Sequence, residues 1–332
     1  GSNRPAVGQT PHDVVWRSGR AELLRYHNDS IRWKPPLLIV FSIVSRAYIL
    51  DLAPGNSFVG RMLDEGFDVY LLHFGDPDER DAGNTLEMYA SQHLGDAITA
   101  ATRESGSDEI NLVGYCFGGM LTLLGMARNP QWPVRSLTVI ATPLDSREMG
   151  PMTSLVRDGN IKVDDVLDEN GLVPANVVVQ AFRSLRPTAQ ITQYADLLDG
   201  MWNDDYVRSY QLMVGWGDDQ VPVPGAMMRE IADQYVRANS LATDGTFVLG
   251  GRRISLNDIT VPFRSLVAEN DSIAPPASSA LLPGLVGSAD SEEIRLPGGH
   301  IGLMVGRTAH KRSIPMLIDF FKSCSEPIEA DR

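Results

Sequence analysis

Five short apolar runs rich in β-branched residues set the architecture of this chain: Leu37 to Ser42, Phe67 to His73, Ile110 to Val113, Leu137 to Thr142 and Phe263 to Ala268. Each has strand length and little polar alternation, the pattern of a strand covered on both faces within a parallel sheet. Ile294 to Leu296 reads as a weaker sixth. Helical patterns, Ser57 to Glu65 and Met88 to Glu104, lie between the early runs. Strand and helix alternating over short links predict an α/β fold with a mostly parallel, doubly wound sheet. The stretch Val14 to Tyr26 predicts a hairpin at one edge.

The alternation stops after Thr142. From about Pro143 to Ile259 the chain carries Met201, Trp202, Met213, Trp216, Met227 and Met228 without a strand–helix rhythm, and includes the turn-rich GWGDDQVPVPG of Gly215 to Gly225. The strand pattern resumes at Val261. This predicts a mainly helical lid or cap, residues 148–257, inserted into a core formed by residues 1–147 and 258–332. Such a cap would shield a site at the carboxyl edge of the sheet from water. An extra domain without a catalytic part is the alternative.

The third run leads into Gly114-Tyr115-Cys116-Phe117-Gly118, and a helical pattern, MLTLLGMARN, follows. Strand, G-x-C-x-G turn and helix match the G-x-S-x-G nucleophile elbow with cysteine in place of serine. That turn strains the backbone of the nucleophile and leaves no room for side chains beside it. Gly114 and Gly118 supply the room, and Gly119 lets the helix approach the strand. The helix N-terminus places partial positive charge near the sulfur, which favours the thiolate. A small buried structural cysteine is the bland reading of the same residue. The elbow on a doubly wound sheet predicts the α/β-hydrolase fold, whose triad runs in the order nucleophile, acid, histidine.

Downstream, FRSLVA runs into Glu269-Asn270-Asp271 and a proline-rich loop. Asp271 suits the acid better than Glu269, because the acid sits in the loop beyond the strand; a turn or N-cap role is its alternative. His300 follows Pro297-Gly298-Gly299, a loop able to carry an imidazole over the nucleophile. The other histidines are 12, 27, 73, 93 and 310. His12, His27 and His93 read as surface residues, and His310 lies at the start of the last helix. One helix, Ala277 to Leu285, is expected between acid and histidine. The N–H of Phe117, with that of Val44 after the first core strand, is expected to form the oxyanion hole. His73 either lines the pocket or merely ends a strand on that edge. Tyr115, beside the nucleophile, is a candidate substrate contact.

The 332-residue chain has a formal net charge of −13, which argues against a nucleic-acid partner, since phosphate needs clustered Lys and Arg. No apolar run approaches the roughly 20 residues needed to span a bilayer. Two cysteines, Cys116 and Cys324, make no disulfide framework, so a reducing compartment is expected. The first residues lack the basic-then-apolar layout of a secretory leader, and the expectation is a cytoplasmic protein. No metal site is expected.

Taken with their surroundings, these segments resemble the polyhydroxyalkanoate synthases, and among them the catalytic subunit of the two-subunit, class III type. The likeness begins at TPHDVVWRSGRAELLRYH and continues through PPLLIVFSIVSRAYILDLAPGNSFVGRMLDEGFDVYLLHFGDP. It takes in GYCFGG, GGRRISLNDITVPFRSLVAENDSIAPPASS and PGGHIG. The resemblance implies that Cys116 carries the growing acyl chain, His300 is the general base and Asp271 supports the reaction. It implies 3-hydroxyacyl-CoA as substrate, polymerised with release of CoA, and no cofactor beyond that CoA thioester. It also implies a homodimer, a non-catalytic second subunit and a place at the surface of a polymer granule. Two positions depart from the family: His73-Phe74 stands where Asp-Trp is usual, and Ser272 where a histidine tends to follow the aspartate. These departures bear on substrate choice and polymerisation more than on nucleophilic catalysis. The residues alone leave open a Cys-dependent thioesterase, esterase or small-molecule acyltransferase, and an inactive relative serving as a binding or granule-coating protein.

Overall fold

In the computed structural model, which describes residues 6–185 and 204–328, eight strands form one sheet. They are β1 (His12–Ser18), β2 (Ala21–Tyr26), β3 (Leu37–Val40), β4 (Val69–His73), β5 (Ile110–Tyr115), β6 (Val134–Ile140), β9 (Phe263–Ala268) and β10 (Ser291–Leu296). The order across the sheet is β1-β2-β4-β3-β5-β6-β9-β10. Strand β2 runs antiparallel to both β1 and β4, and the six strands from β4 to β10 in this order run parallel. All six apolar runs of the sequence are therefore strands of one sheet, and the fold is the α/β-hydrolase fold with a mostly parallel centre.

Strand β3 shows why these runs lack alternation. Leu37, Leu38, Ile39 and Val40 are all fully buried. Successive side chains point to opposite faces of a strand. Leu38 and Val40 pack in the layer of α2 (Leu94–Ser105) and α3 (Phe117–Arg128), whereas Leu37 and Ile39 pack with α1 (Phe58–Asp64) and α11 (Ile314–Ser323). A sheet covered on both faces needs apolar residues at every position of its central strands.

Between β6 and β9 lie α4 (Pro151–Arg157), α5 (Ala175–Ser184), α6 (Asp204–Asp218), α7 (Gly225–Glu230), which continues as a π-wound segment Ile231–Ala238, and α8 (Ser240–Asp244). Met201 and Trp202 lie outside the described residues, as does the stretch 186–203 of the expected insertion. The segment from Gly215 is not all turn, since α6 extends to Asp218. A hairpin missed in the sequence, β7 (Thr246–Leu249) and β8 (Arg252–Ser255), follows α8. Its residues Phe247, Leu249 and Ile254 join the core layer that contains α3. Gly250 and Gly251 form its two-residue loop with φ of +56° and +73°. Gly-Gly between two short β-branched runs is the signal that would have found it.

Two further expectations fail for local reasons. His93 is buried, not exposed, with its ring against Trp16 and Tyr89 at centroid distances of 5.8 and 5.4 Å. The π-wound segment Met88–His93 at the start of α2 shifts the helical phase. The single helix expected over Ala277 to Leu285 is two short ones, α9 (Pro276–Ser279) and α10 (Leu282–Leu285). Pro283 sits in the first turn of the second, where a missing N–H costs nothing.

Candidate active site

The backbone at Cys116 has φ 55° and ψ −125°, values that non-glycine residues rarely adopt. Packing on every side enforces them. The Cys116 N–H donates to the carbonyl of Ile140 on β6 at 2.8 Å. Its carbonyl accepts from the Gly119 N–H at 3.0 Å and from the Thr142 hydroxyl at 3.1 Å. A Cβ on Gly114 would strike the Gly119 backbone, and one on Gly118 would strike the Val40 carbonyl. The helix can thus start immediately after Cys116 only because Gly114 and Gly118, two residues to either side, lack a side chain.

Cys116 is buried at the end of β5, and His300 and Asp271 converge on it from the loops after β10 and β9. The Nδ1 of His300 lies 2.7 Å from Oδ2 of Asp271. Oδ1 of the same carboxylate accepts the N–H groups of Ile273 and Ala274, each at 2.8 Å. Both residues are almost wholly buried. Burial works against a charge on His300, yet the charge of Asp271 and its hydrogen bond to the ring, with Cys116 close by, outweigh it and raise its pKa to about 10. Asp271 and His300 are therefore a buried hydrogen-bonded pair, and Cys116 lies close enough to act on the charge of His300.

Residues that the sequence did not single out surround this unit. Ser279 donates to the carbonyl of Thr142 at 2.5 Å, and Leu144 and Asp145 donate through their N–H groups to the carbonyl of Ser278. The loop after β6 is thereby fastened to α9, just beyond Asp271. From the insertion, the buried Tyr235 donates its hydroxyl to the carbonyl of Pro143 at 3.3 Å. Asn239, with φ 49°, donates to Asp145 at 2.8 Å and accepts from the N–H and hydroxyl of Ser146 at 3.0 and 3.1 Å. No local pattern marks these residues, because each partner lies more than ninety positions away.

The remaining candidates fall in three places. Phe117 opens α3, so its N–H is among the donors that a helix leaves without an internal partner. The Val44 N–H lies 3.4 Å from the Ser42 hydroxyl, and its carbonyl accepts from Val221 at 3.3 Å. Tyr115 is buried, and its hydroxyl donates to the carbonyl of His300 at 3.2 Å. His73 ends β4 with Nε2 3.4 Å from Glu22 Oε2, and burial lowers its pKa despite that carboxylate. It lines a cavity of about 700 Å³ together with Arg20, Ser42, Arg46 and Phe74. None of Cys116, Asp271 and His300 lines that cavity. Among the described residues no cluster of His, Cys, Asp or Glu is arranged to hold a metal ion, and no helix is long and apolar enough to cross a membrane.

Residues 4–62 match the family described as the N-terminus of poly-β-hydroxybutyrate polymerase (PhaC), and residues 53–306 match the α/β-hydrolase fold. The poly(3-hydroxyalkanoate) polymerase subunit PhaC of Haloferax mediterranei is 32% identical over 97% of this chain and 65% of its own length. Its counterpart from Allochromatium vinosum is 32% identical over 94% of this chain and 88% of its own length. Among solved structures, a hydrolase from Pseudomonas aeruginosa covers 95% of the chain and 98% of its own with a TM-score of 0.55 at 14% identity, a likeness of fold. A thermophilic esterase from Thermogutta terrifontis superposes with a TM-score of 0.52 at 14% identity, covering 95% of this chain and 99% of its own. Fold, elbow and relatives agree: the chain belongs to the poly(3-hydroxyalkanoate) polymerase PhaC family within the α/β-hydrolase fold.

Proposed function

We propose that this chain is an acyltransferase that polymerises 3-hydroxyacyl-CoA into polyhydroxyalkanoate with release of CoA, using Cys116 as nucleophile, His300 as acid and base, and Asp271 as the partner that orients His300. Membership of the PhaC family supports the substrate class. The single observation that supports the mechanism is the buried, hydrogen-bonded Asp271–His300 pair beside the strained elbow cysteine.

The chemistry runs as two acyl transfers. The Cys116 thiolate attacks the thioester carbonyl, and the N–H groups of Phe117 and Val44 hold the oxyanion, the latter after release from Ser42. His300 donates its proton to the departing CoA thiolate, leaving an acyl-Cys. The raised pKa of His300 suits this acid role, because the imidazole holds its proton at neutral pH. Acylation removes the negative charge from sulfur, and with it one of the causes that raise His300. The imidazole can then accept the proton of an incoming 3-hydroxyl group, whose oxygen attacks the acyl-Cys carbonyl; the C–S bond breaks, the lengthened ester leaves, and the Cys116 thiolate is restored beside the protonated His300. The relatives are named as subunits, which supports a non-catalytic second subunit as partner.

The test mixes the purified chain with 3-hydroxybutyryl-CoA, follows CoA release with a thiol reagent and analyses the acyl product, with Cys116→Ala as control. CoA release with oligomeric ester, absent in the variant, is the expected result. Free 3-hydroxybutyrate as the only product would make the chain a thioesterase and overturn polymerisation. Release undiminished in Cys116→Ala would overturn the nucleophile.

A further inference from the structure

Catalysis by a thiol–imidazole pair requires a fixed distance between ring and sulfur, yet the loop that carries His300 is poorly suited to fixing one. It contains Gly298 with φ +120°, then Gly299, and Gly302 just beyond the histidine. A glycine-rich segment has more backbone freedom to lose than any other. Asn270 donates its N–H to the carbonyl of Gly298 at 2.9 Å, and the hydroxyl of Tyr115 donates to the carbonyl of His300 itself.

Tyr115 is a rigid donor. It ends β5, paired with Ile140 of β6 in the middle of the parallel sheet. Its ring stacks on Phe41 at 5.6 Å with an interplanar angle of 21°, and lies 5.4 Å from the His300 ring. Only 1% of its surface is exposed, too little to touch a substrate. A buried hydroxyl is costly unless it is bonded, and phenylalanine would fill the same space without that cost.

We propose that Tyr115 is a positioning residue for His300, fixing the backbone from which the imidazole reaches Cys116. The contacts close a ring. Tyr115 and Cys116 are joined covalently, the Tyr115 hydroxyl holds the His300 carbonyl, and the His300 side chain lies beside Cys116. Nucleophile and base are therefore referenced to the same two residues at the end of one strand, and drift of the glycine loop does not separate them. This inference requires only that Cys116 and His300 act as a pair, whatever the acyl substrate.

The experiment is the second-order rate of Cys116 alkylation by iodoacetamide between pH 5 and 9, read at that cysteine by peptide mass spectrometry, for the parent chain and Tyr115→Phe. Loss of one buried hydrogen bond to the base should slow alkylation below pH 7 by about three- to tenfold, with the profile moved to higher pH. The melting temperature should stay within a few degrees of the parent. In a His300→Ala background the same substitution should change nothing further, because the hydroxyl acts only through that imidazole. Superimposable profiles would overturn the proposal. So would an equal effect in both backgrounds, or failure of Tyr115→Phe to fold, since either assigns Tyr115 to core packing alone.

Discussion

Asp271 binds His300 through one oxygen only: Oδ2 lies 2.7 Å from Nδ1, while Oδ1 is held by the N–H groups of Ile273 and Ala274. The backbone pair fixes which oxygen faces the ring, and that oxygen, which can only accept, keeps a proton on Nδ1 in either charge state of the imidazole.

That arrangement predicts the effect of Asp271→Asn. An asparagine would keep its oxygen on the two N–H groups and turn its NH₂ toward Nδ1. The neutral ring would then carry its proton on Nε2, the nitrogen that has to accept the proton of the incoming hydroxyl group. The rate of CoA release is expected to fall by about 10²-fold or more with the melting temperature little changed. Steady-state kinetics beside thermal melts check this, and a loss below a few-fold would remove Asp271 from the mechanism.

The charge on His300 makes stability depend on pH. Its folded pKa, about 10, lies above the ordinary imidazole value of 6.5, the charges of Asp271 and Cys116 outweighing burial. A group whose pKa is raised by folding contributes stability that is complete below its unfolded pKa and lost as pH climbs through its folded one. The difference in melting temperature between the parent and His300→Gln should therefore be largest near pH 6 and shrink steadily toward pH 10. A difference that does not vary with pH over this window would contradict the charge-paired state.

Gly118→Ala tests the elbow. Its Cβ would land on the carbonyl of Val40, a backbone atom of a central strand that cannot swing aside. Overpacking against backbone is expected to cost more than about 3 kcal/mol and leave the chain insoluble or molten. Recovery of a cooperatively folded Gly118→Ala protein with normal melting would show that the helix sits further from β3 than described.

Asn239 tests the attachment of the insertion to the core. Replacement by glycine keeps the φ of 49° accessible but removes the bonds to Asp145 and Ser146, at a cost of about 1–3 kcal/mol. Replacement by alanine adds about 1 kcal/mol for a left-handed residue with a Cβ. Denaturant melts should therefore rank the parent above Asn239→Gly and Asn239→Ala last. The reverse order of the two variants would separate the backbone conformation from the stability.

Much of this molecule is written in runs of adjacent residues. Periodicity over Leu37 to Val40 or Phe263 to Ala268 specifies strands covered on both sides. Gly-x-Cys-x-Gly between strand and helix specifies a turn that only glycines fit, and chain order points to Asp271 and His300. These signals are legible because strand pitch, helix pitch and glycine's freedom are properties of neighbouring residues. The sequence also held the Gly250-Gly251 turn of the β7–β8 hairpin, a two-residue signal overshadowed by the methionine-rich insertion around it. What the sequence could not decide is which distant groups meet. The burial of His93 goes with a π-wound turn, Met88–His93, that shifts the phase of its helix. Asn239 and Tyr235 meet the loop after β6, the Tyr115 hydroxyl turns inward to the His300 carbonyl, and His73 lines a cavity with Arg20 and Arg46. Such pairings carry no periodicity, because their partners are joined only when the packed layers close and each buried donor takes whichever acceptor the backbone has brought within reach.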